Sequence, residues 1–520
     1  MADATKHKIV KPYYPIVYVR GYAMRHSERE ETFNDTYYGF SATSVEKRQA
    51  PPPKYFEPDV FEGQLIRLMK MDGYTDAFNQ GLEMCTGNPS RSVWICRFYD
   101  VDYIRENLRS IEDHGQELYQ LVCKTIPKRL KDCGVDLGAG DQDYKVILLA
   151  HSMGGLVCRT LIQNLMPIKY KQDPKRWVHR LVTMGTPHGG IELGKIPDFL
   201  ENFVTSRLNP FDANIFKEDR MRDYLKLTAK KGKNFKYDVH SLGVQDAPFA
   251  FPVKRCLCIV GSDYQSYSVV KEATGNFSDG LVKQDRAYIV AGEKPKDGEA
   301  YPDGQTAYYA NVHRAHSGYR GIVNSYESYE NIRRFLFGDV TAGVSLENIN
   351  FLTPQESGYD YFYDFEFLLS VRKTGAYLHQ RQQDPCENAI RLNRTSIPSF
   401  LLLHSAFMNS TLKEPGQQFS HFNAKFRVVE HRIKQGFLWD HEYPERPIYN
   451  ETVEIRVGDI DPGKPGIEAD YRWLSDGDNW NRINPDSNWV YRFPLRAAGS
   501  MTADVLIKPA IWPDPKVTQD

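Results

Sequence analysis

Residues 146–157 read Val-Ile-Leu-Leu-Ala-His-Ser-Met-Gly-Gly-Leu-Val, an apolar run that stops at a turn of the form small-x-Ser-x-small. Lys145–Leu149 reads as a short strand buried on both faces, and Gly154–Met166 reads as a helix. A serine on so tight a strand-to-helix turn sits in strained backbone, with its hydroxyl pushed out above the sheet. Ala150 and Gly154 must then pass close to each other and to the helix, so both flanks have to be small. This is nucleophile-elbow geometry, and it marks Ser152 as a candidate acyl-enzyme nucleophile. The competing reading is a helix cap with no chemistry attached.

Two further segments favour chemistry. Lys11–Met24 reads as a strand entering a Gly turn close to the N-terminus. An oxyanion hole needs two main-chain N–H groups fixed before reaction. Met153, directly after the candidate nucleophile, supplies one, and Tyr22, in the loop after the first buried strand, supplies the other. Val178–Gly190 is a second buried strand, ending in Gly-Thr-Pro-His-Gly-Gly, where His188 reads as structural.

With these motifs in this order, residues 10–340 resemble the α/β-hydrolase lipases of bacteria, which carry Thr-Pro-His-Gly after the strand that follows the nucleophile helix. Short members of that group also have Ala at the first small position of the elbow. One departure is plain: Arg20-Gly21 stands where the family usually has His-Gly. The N–H donor does not depend on that side chain.

The resemblance implies an acid and then a base after the serine. Arg255–Gly261 is a further buried strand, and two aspartates follow it. Asp263 stands where many α/β-hydrolases place the acid. Asp279 lies in Asp-Gly-Leu-Val, which is similar to the acid-bearing segment of larger bacterial lipases, and the resemblance favours it. Either aspartate also suits a turn in which the carboxylate bonds its own backbone. For the base, Val312–Gly318 offers His313 and His316. The resemblance favours His316, which is followed by a small, Gly-containing turn and the last helix, Ser325–Phe337.

The chain has 520 residues, enough for about two to four domains. Charged residues make up 26% and the formal net charge is −1, a balance that points away from nucleic acid. The densest basic stretch, residues 228–236, reads as a solvated loop. No apolar run is long enough to cross a bilayer as a helix, and the start lacks the apolar core of a secretory signal. The expected setting is therefore the cytoplasm, or export without such a signal. Cys96, Cys123, Cys158, Cys256 and Cys258 fall in expected strands and helices, the behaviour of buried free thiols in a reducing compartment. No spacing reads as a metal site, and no cofactor is expected. Asp459-Ile-Asp461 and Asp476-Gly-Asp478 read as turns.

Apolar strands at Ile16–Val19, Val93–Tyr99, Lys145–Leu149, Leu181–Met184 and Leu257–Val260 alternate with helices at Val60–Met71, Ile104–Lys131, Gly154–Met166 and Ser325–Phe337. Such alternation predicts a doubly wound, mainly parallel sheet, with the site at the carboxyl ends of its strands. Residues 25–59 read as an extended surface loop. Residues 191–250 interrupt the pattern as a cap or lid insertion, with an apolar stripe from Ile196 to Leu208 that either covers the elbow or packs on the core. Beyond residue 345, short runs at Phe362–Val371, Phe400–Phe407, Phe426–Ile433, Val453–Val457, Trp489–Leu495 and Val505–Ile507 predict an all-β, sandwich-like domain. The expected division is 1–340 catalytic and 345–520 accessory.

The combined reading is a lipase- or esterase-type serine hydrolase of acyl esters, with contact to a lipid interface through the cap or the β-domain. A phospholipase or an acyltransferase would use the same residues. A hydrolase fold kept as a non-catalytic binding protein is the rival from another class. A third reading gives the work to the β-domain, with Trp473, Trp480 and Trp489 stacking on sugar. Oligomeric state is not set by the sequence.

Overall fold

The computed structural model describes residues 7–21, 46–49, 56–59, 63–77, 87–96, 109–191, 214–232, 234–243, 248–266, 277–296, 299, 301–302, 304–318, 320–372, 374–409, 419–434, 441–442, 446–460, 467–496 and 500–513. Two compact units emerge, one of residues up to 309 with 314–332, the other of 310–313 with the chain from 333 onward.

In chain order, the first part carries β1 (Ile16–Val19), an antiparallel pair β2 (Glu46–Gln49) and β3 (Phe56–Asp59), α1 (Gly63–Asp72), β4 (Thr75–Asp76) and β5 (Ser92–Cys96). Next come α2 (Ile111–Gln120), α3 (Ile126–Asp132), β6 (Val146–His151), α4 (Met153–Thr160) and β7 (Val178–Met184). Then follow α5 (Glu218–Tyr224), the hairpin β8 (Lys230–Lys231) and β9 (Asn234–Phe235), β10 (Cys256–Gly261), β11 (Tyr308–Val312) and α6 (Tyr326–Phe337). Seven strands form one sheet in the order β11-β10-β7-β6-β1-β5-β4. The pairings of β4 with β5, β5 with β1, β1 with β6, β6 with β7 and β7 with β10 are all parallel. This is a parallel, helix-flanked sheet of the α/β class.

Its central strands are mostly apolar because both faces are covered, although β7 also buries His179, Arg180 and Thr183. Val146–Ala150 and all of β7 are buried. Each fully buried Val, Leu or Ile there contributes roughly 1.5–3 kcal/mol relative to exposure. The sequence predicts one helix over 104–131, of which 104–108 lie outside the described residues. The remainder starts at Ser110, whose Oγ accepts from the Asp113 amide at 3.2 Å while Asp113 Oδ2 accepts from the Ser110 amide at 3.0 Å. It widens into a π-turn at Leu121–Thr125 before resuming at Ile126. Pro127 has no N–H to continue the α-helical pattern there. The helix after Ser152 likewise passes into wider turns over Leu161–Lys169, with Pro167 inside.

Only the second half of the 191–250 insertion is described, and the stripe from Ile196 to Leu208 lies outside it. The described half packs on the core of the first unit: Met221, Tyr224, Leu225 and Leu227 are buried in the same apolar cluster as Leu148 and Leu181. The basic stretch forms the β8–β9 hairpin, where Lys236 Nζ meets Glu293 at 3.0 Å.

The second part is all antiparallel. It comprises β12 (Val340–Phe351), β13 (Tyr359–Val371), β14 (Tyr377–Arg381), β15 (Ile390–Asn393), β16 (Phe400–Met408), β17 (Ser420–Lys434), β18 (His441–Glu442), β19 (Arg446–Ile460), β20 (Ile467–Trp473), β21 (Asn481–Arg482), β22 (Tyr491–Pro494) and β23 (Met501–Ile511). One sheet runs β16-β12-β23-β22 and the other β14-β13-β17-β19-β20-β21. Period-two alternation on β13 sends Tyr361, Tyr363, Phe365 and Phe367 into the shared core. Its other face carries Asp364, gripped by Arg391 through two bonds of 2.7 Å and by His431 Nε2 at 2.8 Å. That pairing is what allows a carboxylate to sit 1% exposed.

Several local expectations can be set against the structure. Cys96, Cys123, Cys158, Cys256 and Cys258 are free and buried as expected, as is Cys386, whereas Cys133 is disulfide-bonded, against a wholly reduced set. Asp459 stands in β19 rather than in a turn, and Asp461 lies outside the described residues. Asp476 and Asp478 flank Gly477 and pair with Arg496 and Arg472. Trp473 is buried in the sandwich core and Trp480 stacks under the guanidinium groups of Arg456 and Arg472, while Trp489 is 43% exposed. A buried Trp473 is closed to a sugar. Among the described residues no helix is long and apolar enough to cross a membrane, and no His/Cys/Asp/Glu group is arranged to hold a metal ion.

Candidate active site

Ser152 stands between the end of β6 and the start of α4, with φ 52° and ψ −129°. A non-glycine residue in that region costs on the order of 1–3 kcal/mol, so the surroundings must hold it there. They do so at both main-chain groups. The Ser152 amide donates to Met184 O at 2.9 Å, extending the β6–β7 pairing by one residue. Its carbonyl accepts from Thr186 Oγ1 at 2.8 Å and from the Gly155 amide at 3.1 Å.

The small residues around the turn are required by close approach. A Cβ on Gly154 would stand 2.0 Å from the Val19 carbonyl oxygen, so the first turn of α4 rests directly on the end of β1. A Cβ on Gly21 would stand 2.8 Å from Ser152 Cβ. The loop after β1 therefore runs against the nucleophile candidate itself. Met153 opens α4, where its amide is one of those with no acceptor inside the helix. Tyr22 lies outside the described residues.

Ser152 Oγ is 3.0 Å from His316 Nε2, and His316 Nδ1 is 2.8 Å from Asp279 Oδ2. A carboxylate only accepts, so Nδ1 carries the hydrogen and Nε2 presents its lone pair to the serine hydroxyl. Asp279 is held on both sides of its side chain. Oδ1 accepts from the Leu281 amide at 2.9 Å and the Val282 amide at 2.7 Å, while the Asp279 carbonyl accepts from the His316 amide at 2.8 Å. His316 and Asp279 are 3% and 1% exposed, so this chain of bonds is shielded from water.

The other two candidates are engaged elsewhere. Asp263 caps its own turn, its Oδ1 accepting from the Ser266 amide at 3.0 Å, and its amide donates to Arg314 O at 3.1 Å. His313 follows β11, and its amide donates to the Gln380 side chain at 2.9 Å.

Three residues not singled out for roles from the sequence complete the site. His151 Nε2 lies 3.0 Å from the His316 carbonyl oxygen, and the two rings are 4.9 Å apart. Burial, then the neighbouring His316 and the charge of Arg20, hold the His151 pKa well below the usual imidazole value. It is therefore neutral at pH 7, and the carbonyl it faces places its hydrogen on Nε2. Thr186, in the Thr-Pro-His-Gly motif, clamps the Ser152 carbonyl as described. Arg159, fully buried on α4, donates to His188 O at 3.1 Å, Val239 O at 2.9 Å and Ser241 O at 2.8 Å. It thereby ties α4, which follows Ser152, to that motif and to the 191–250 insertion. Burial lowers its pKa to about 10, which leaves it charged at neutral pH. His188 itself is buried, with Nε2 3.0 Å from Thr183 Oγ1, and burial pushes its pKa well down. Its place is structural; His151, by its adjacency to Ser152, and Thr186, within the Thr-Pro-His-Gly motif, had a signal in the sequence, and Arg159 had none.

No protein-family model matches the chain, and no curated protein does. Among solved structures it is similar to phospholipase PlaB from Legionella pneumophila, at 12% identity and a TM-score of 0.34, over 84% of this chain and 91% of that one. The same phospholipase in complex with thio-NAD aligns with a TM-score of 0.31 over the same shares. The Tle4–Tli4 complex aligns at 19% identity and a TM-score of 0.16, over 42% of this chain and 32% of that one. These are likenesses at low identity, and the functional reading rests on the geometry.

Proposed function

We propose that the chain is a serine carboxylic-ester hydrolase of lipase or esterase type, with its catalytic domain in residues 1–340 and an accessory β-domain in 345–520. The observation that carries this reading is the continuous chain from Ser152 Oγ through His316 to Asp279, with bonds of 3.0 and 2.8 Å, on a strained strand-to-helix turn.

In this mechanism His316 Nε2 takes the hydroxyl proton as Ser152 Oγ bonds to the acyl carbonyl carbon. Asp279 fixes the tautomer and stabilises the imidazolium that forms. The negative charge moves to the carbonyl oxygen, for which the Met153 amide and the Tyr22 amide are the expected donors. Collapse of the tetrahedral species breaks the ester C–O bond, and the alcohol leaves with the proton from His316. Water then repeats the cycle on the acyl-enzyme and releases the acid.

The test is hydrolysis of p-nitrophenyl esters from acetate to palmitate by the wild-type chain and by Ser152→Ala. The reading expects turnover that the substitution abolishes, with the chain-length optimum separating esterase from lipase. A wild type inactive on every ester, or a variant as active as wild type, overturns it in favour of a binding protein.

A further inference from the structure

The β-sandwich has a cavity between its two sheets whose lining is entirely apolar apart from one hydroxyl. On one wall, Ala342 and Val344 of β12, Ala406 and Met408 of β16, and Ile507 and Pro509 of β23 face it, with Tyr491 of β22 at the end. On the other wall stand Leu369 of β13, Phe422 of β17, and inward-facing pairs from β19 and β20. Each wall is thus four adjacent strands wide, and no strand contributes more than two inward positions. With strands about 4.8 Å apart and about 3.4 Å per residue, the space extends roughly 14 Å across the strands and about 7 Å along them. It is a slot.

Its volume is about 60 Å³. On that scale one water needs roughly 10–15 Å³, so about four to six waters would fit by size. Water needs two or more polar partners, and the slot offers none to spare. The single hydroxyl, Tyr491 Oη, donates to Ile467 O at 2.6 Å and accepts from the Ile467 amide at 2.7 Å. Alanines at 342, 406 and 469 make the room, since larger residues at these inward positions would close it. Met408, Val457, Ile507 and Pro509 keep partial exposure and form the mouth.

We propose that this slot binds the end of one unbranched aliphatic chain, as found in a fatty acid or the acyl group of a lipid. An occupant without polar atoms is the only kind the lining satisfies, and a long, thin, low-volume space favours a single hydrocarbon chain over a fused ring. The inference stands on the sandwich alone and does not depend on the activity proposed for Ser152.

The experiment uses the full chain and palmitic acid carrying a diazirine near its methyl end, irradiated and mapped by peptide mass spectrometry. The expected result is labelling of peptides spanning 342–344, 406–408 and 455–457, reduced about tenfold in Ala406→Phe. Excess unlabelled palmitate should compete. Ala469→Leu fills the slot from the opposite wall and serves if the first variant does not fold. Absence of label from these peptides in wild type overturns the proposal, as does label that persists once the slot is filled. Competition by adamantane as strong as by palmitate overturns the chain assignment. Label confined to the neighbourhood of Ser152 also counts against it, and turnover of the ester series is read separately.

Discussion

The imidazole of His151 donates from Nε2 to the main-chain carbonyl of His316 across 3.0 Å, so the residue before Ser152 holds the backbone of His316. Because burial keeps His151 neutral, the bond joins two uncharged groups and its worth is that of an ordinary hydrogen bond, about 1 kcal/mol. In the proposed reaction His151 is a positioning residue. His151→Phe should lower kcat about fivefold with little change in KM, and His151→Gln should recover part of the loss. Steady-state kinetics of the two variants measure this. A change in KM alone would assign His151 to substrate contact.

Asp279→Asn should lower kcat by about four orders of magnitude, since the amide permits the wrong His316 tautomer while leaving the shape intact. Asp263→Asn should leave kcat within about twofold of wild type, because its carboxylate only caps a turn. Kinetics of the pair decide the assignment, and the reverse order of effects would move the acid to Asp263.

Gly154→Ala places a methyl group 2.0 Å from one backbone oxygen and 2.8 Å from another, with no flexible side chain to yield. The expected cost is about 3 kcal/mol or more, read as a lower midpoint in urea. Gly134→Ala provides the contrast: φ is +76° but nothing lies within 4 Å, so only the backbone cost of about 1 kcal/mol applies. Equal midpoints for the two variants would mean that the elbow can relax.

His404 and His379 stack with ring centroids 4.0 Å apart inside the β-sandwich. Burial lowers His404 to about 3 and His379 well below the imidazole value. Both folded-state values lie below the unfolded one, near 6.5. The unfolded chain therefore takes up protons first, and stability is fully present above pH 6.5 and lost as pH falls toward 3. Each such histidine contributes a slope of about 1.4 kcal/mol per pH unit in that window. Urea midpoints between pH 7.5 and 5 should fall less steeply in His404→Gln than in wild type.

How much of this was legible depended on what signal each part left. Strands buried on both faces read as unbroken apolar runs, so Val146–Leu149 and Leu181–Met184 stood out, with ends displaced by only a few residues. In the sandwich, β20 went unread because Glu468, Asp470 and Arg472 dilute its apolar positions Ile467, Ala469 and Trp473. The interruption at Leu121–Thr125 lies just before Pro127, punctuation that the expected helix 104–131 ran through, whereas the expected helix Gly154–Met166 stops before Pro167 and missed only the wider turns from Leu161. Ser152 was marked by its own turn. The meeting of Asp279 and His316 with it depends on loops, for which chain order narrows the candidates but distance decides. Arg159 left no signal at all, since its three carbonyl partners come from segments far away in sequence.

Ser152 has its amide on β7, its carbonyl on the Thr186 turn and its hydroxyl on His316, while Gly21 and Gly154 lock the elbow against β1. The site geometry thus depends on long-range assembly: with β1, β7 or the loop carrying His316 out of place, Ser152 is an ordinary alcohol. In the proposed reaction, turnover would then report on completion of the central sheet during refolding, lagging any probe of helix content, and a partly folded chain would be hydrolytically silent.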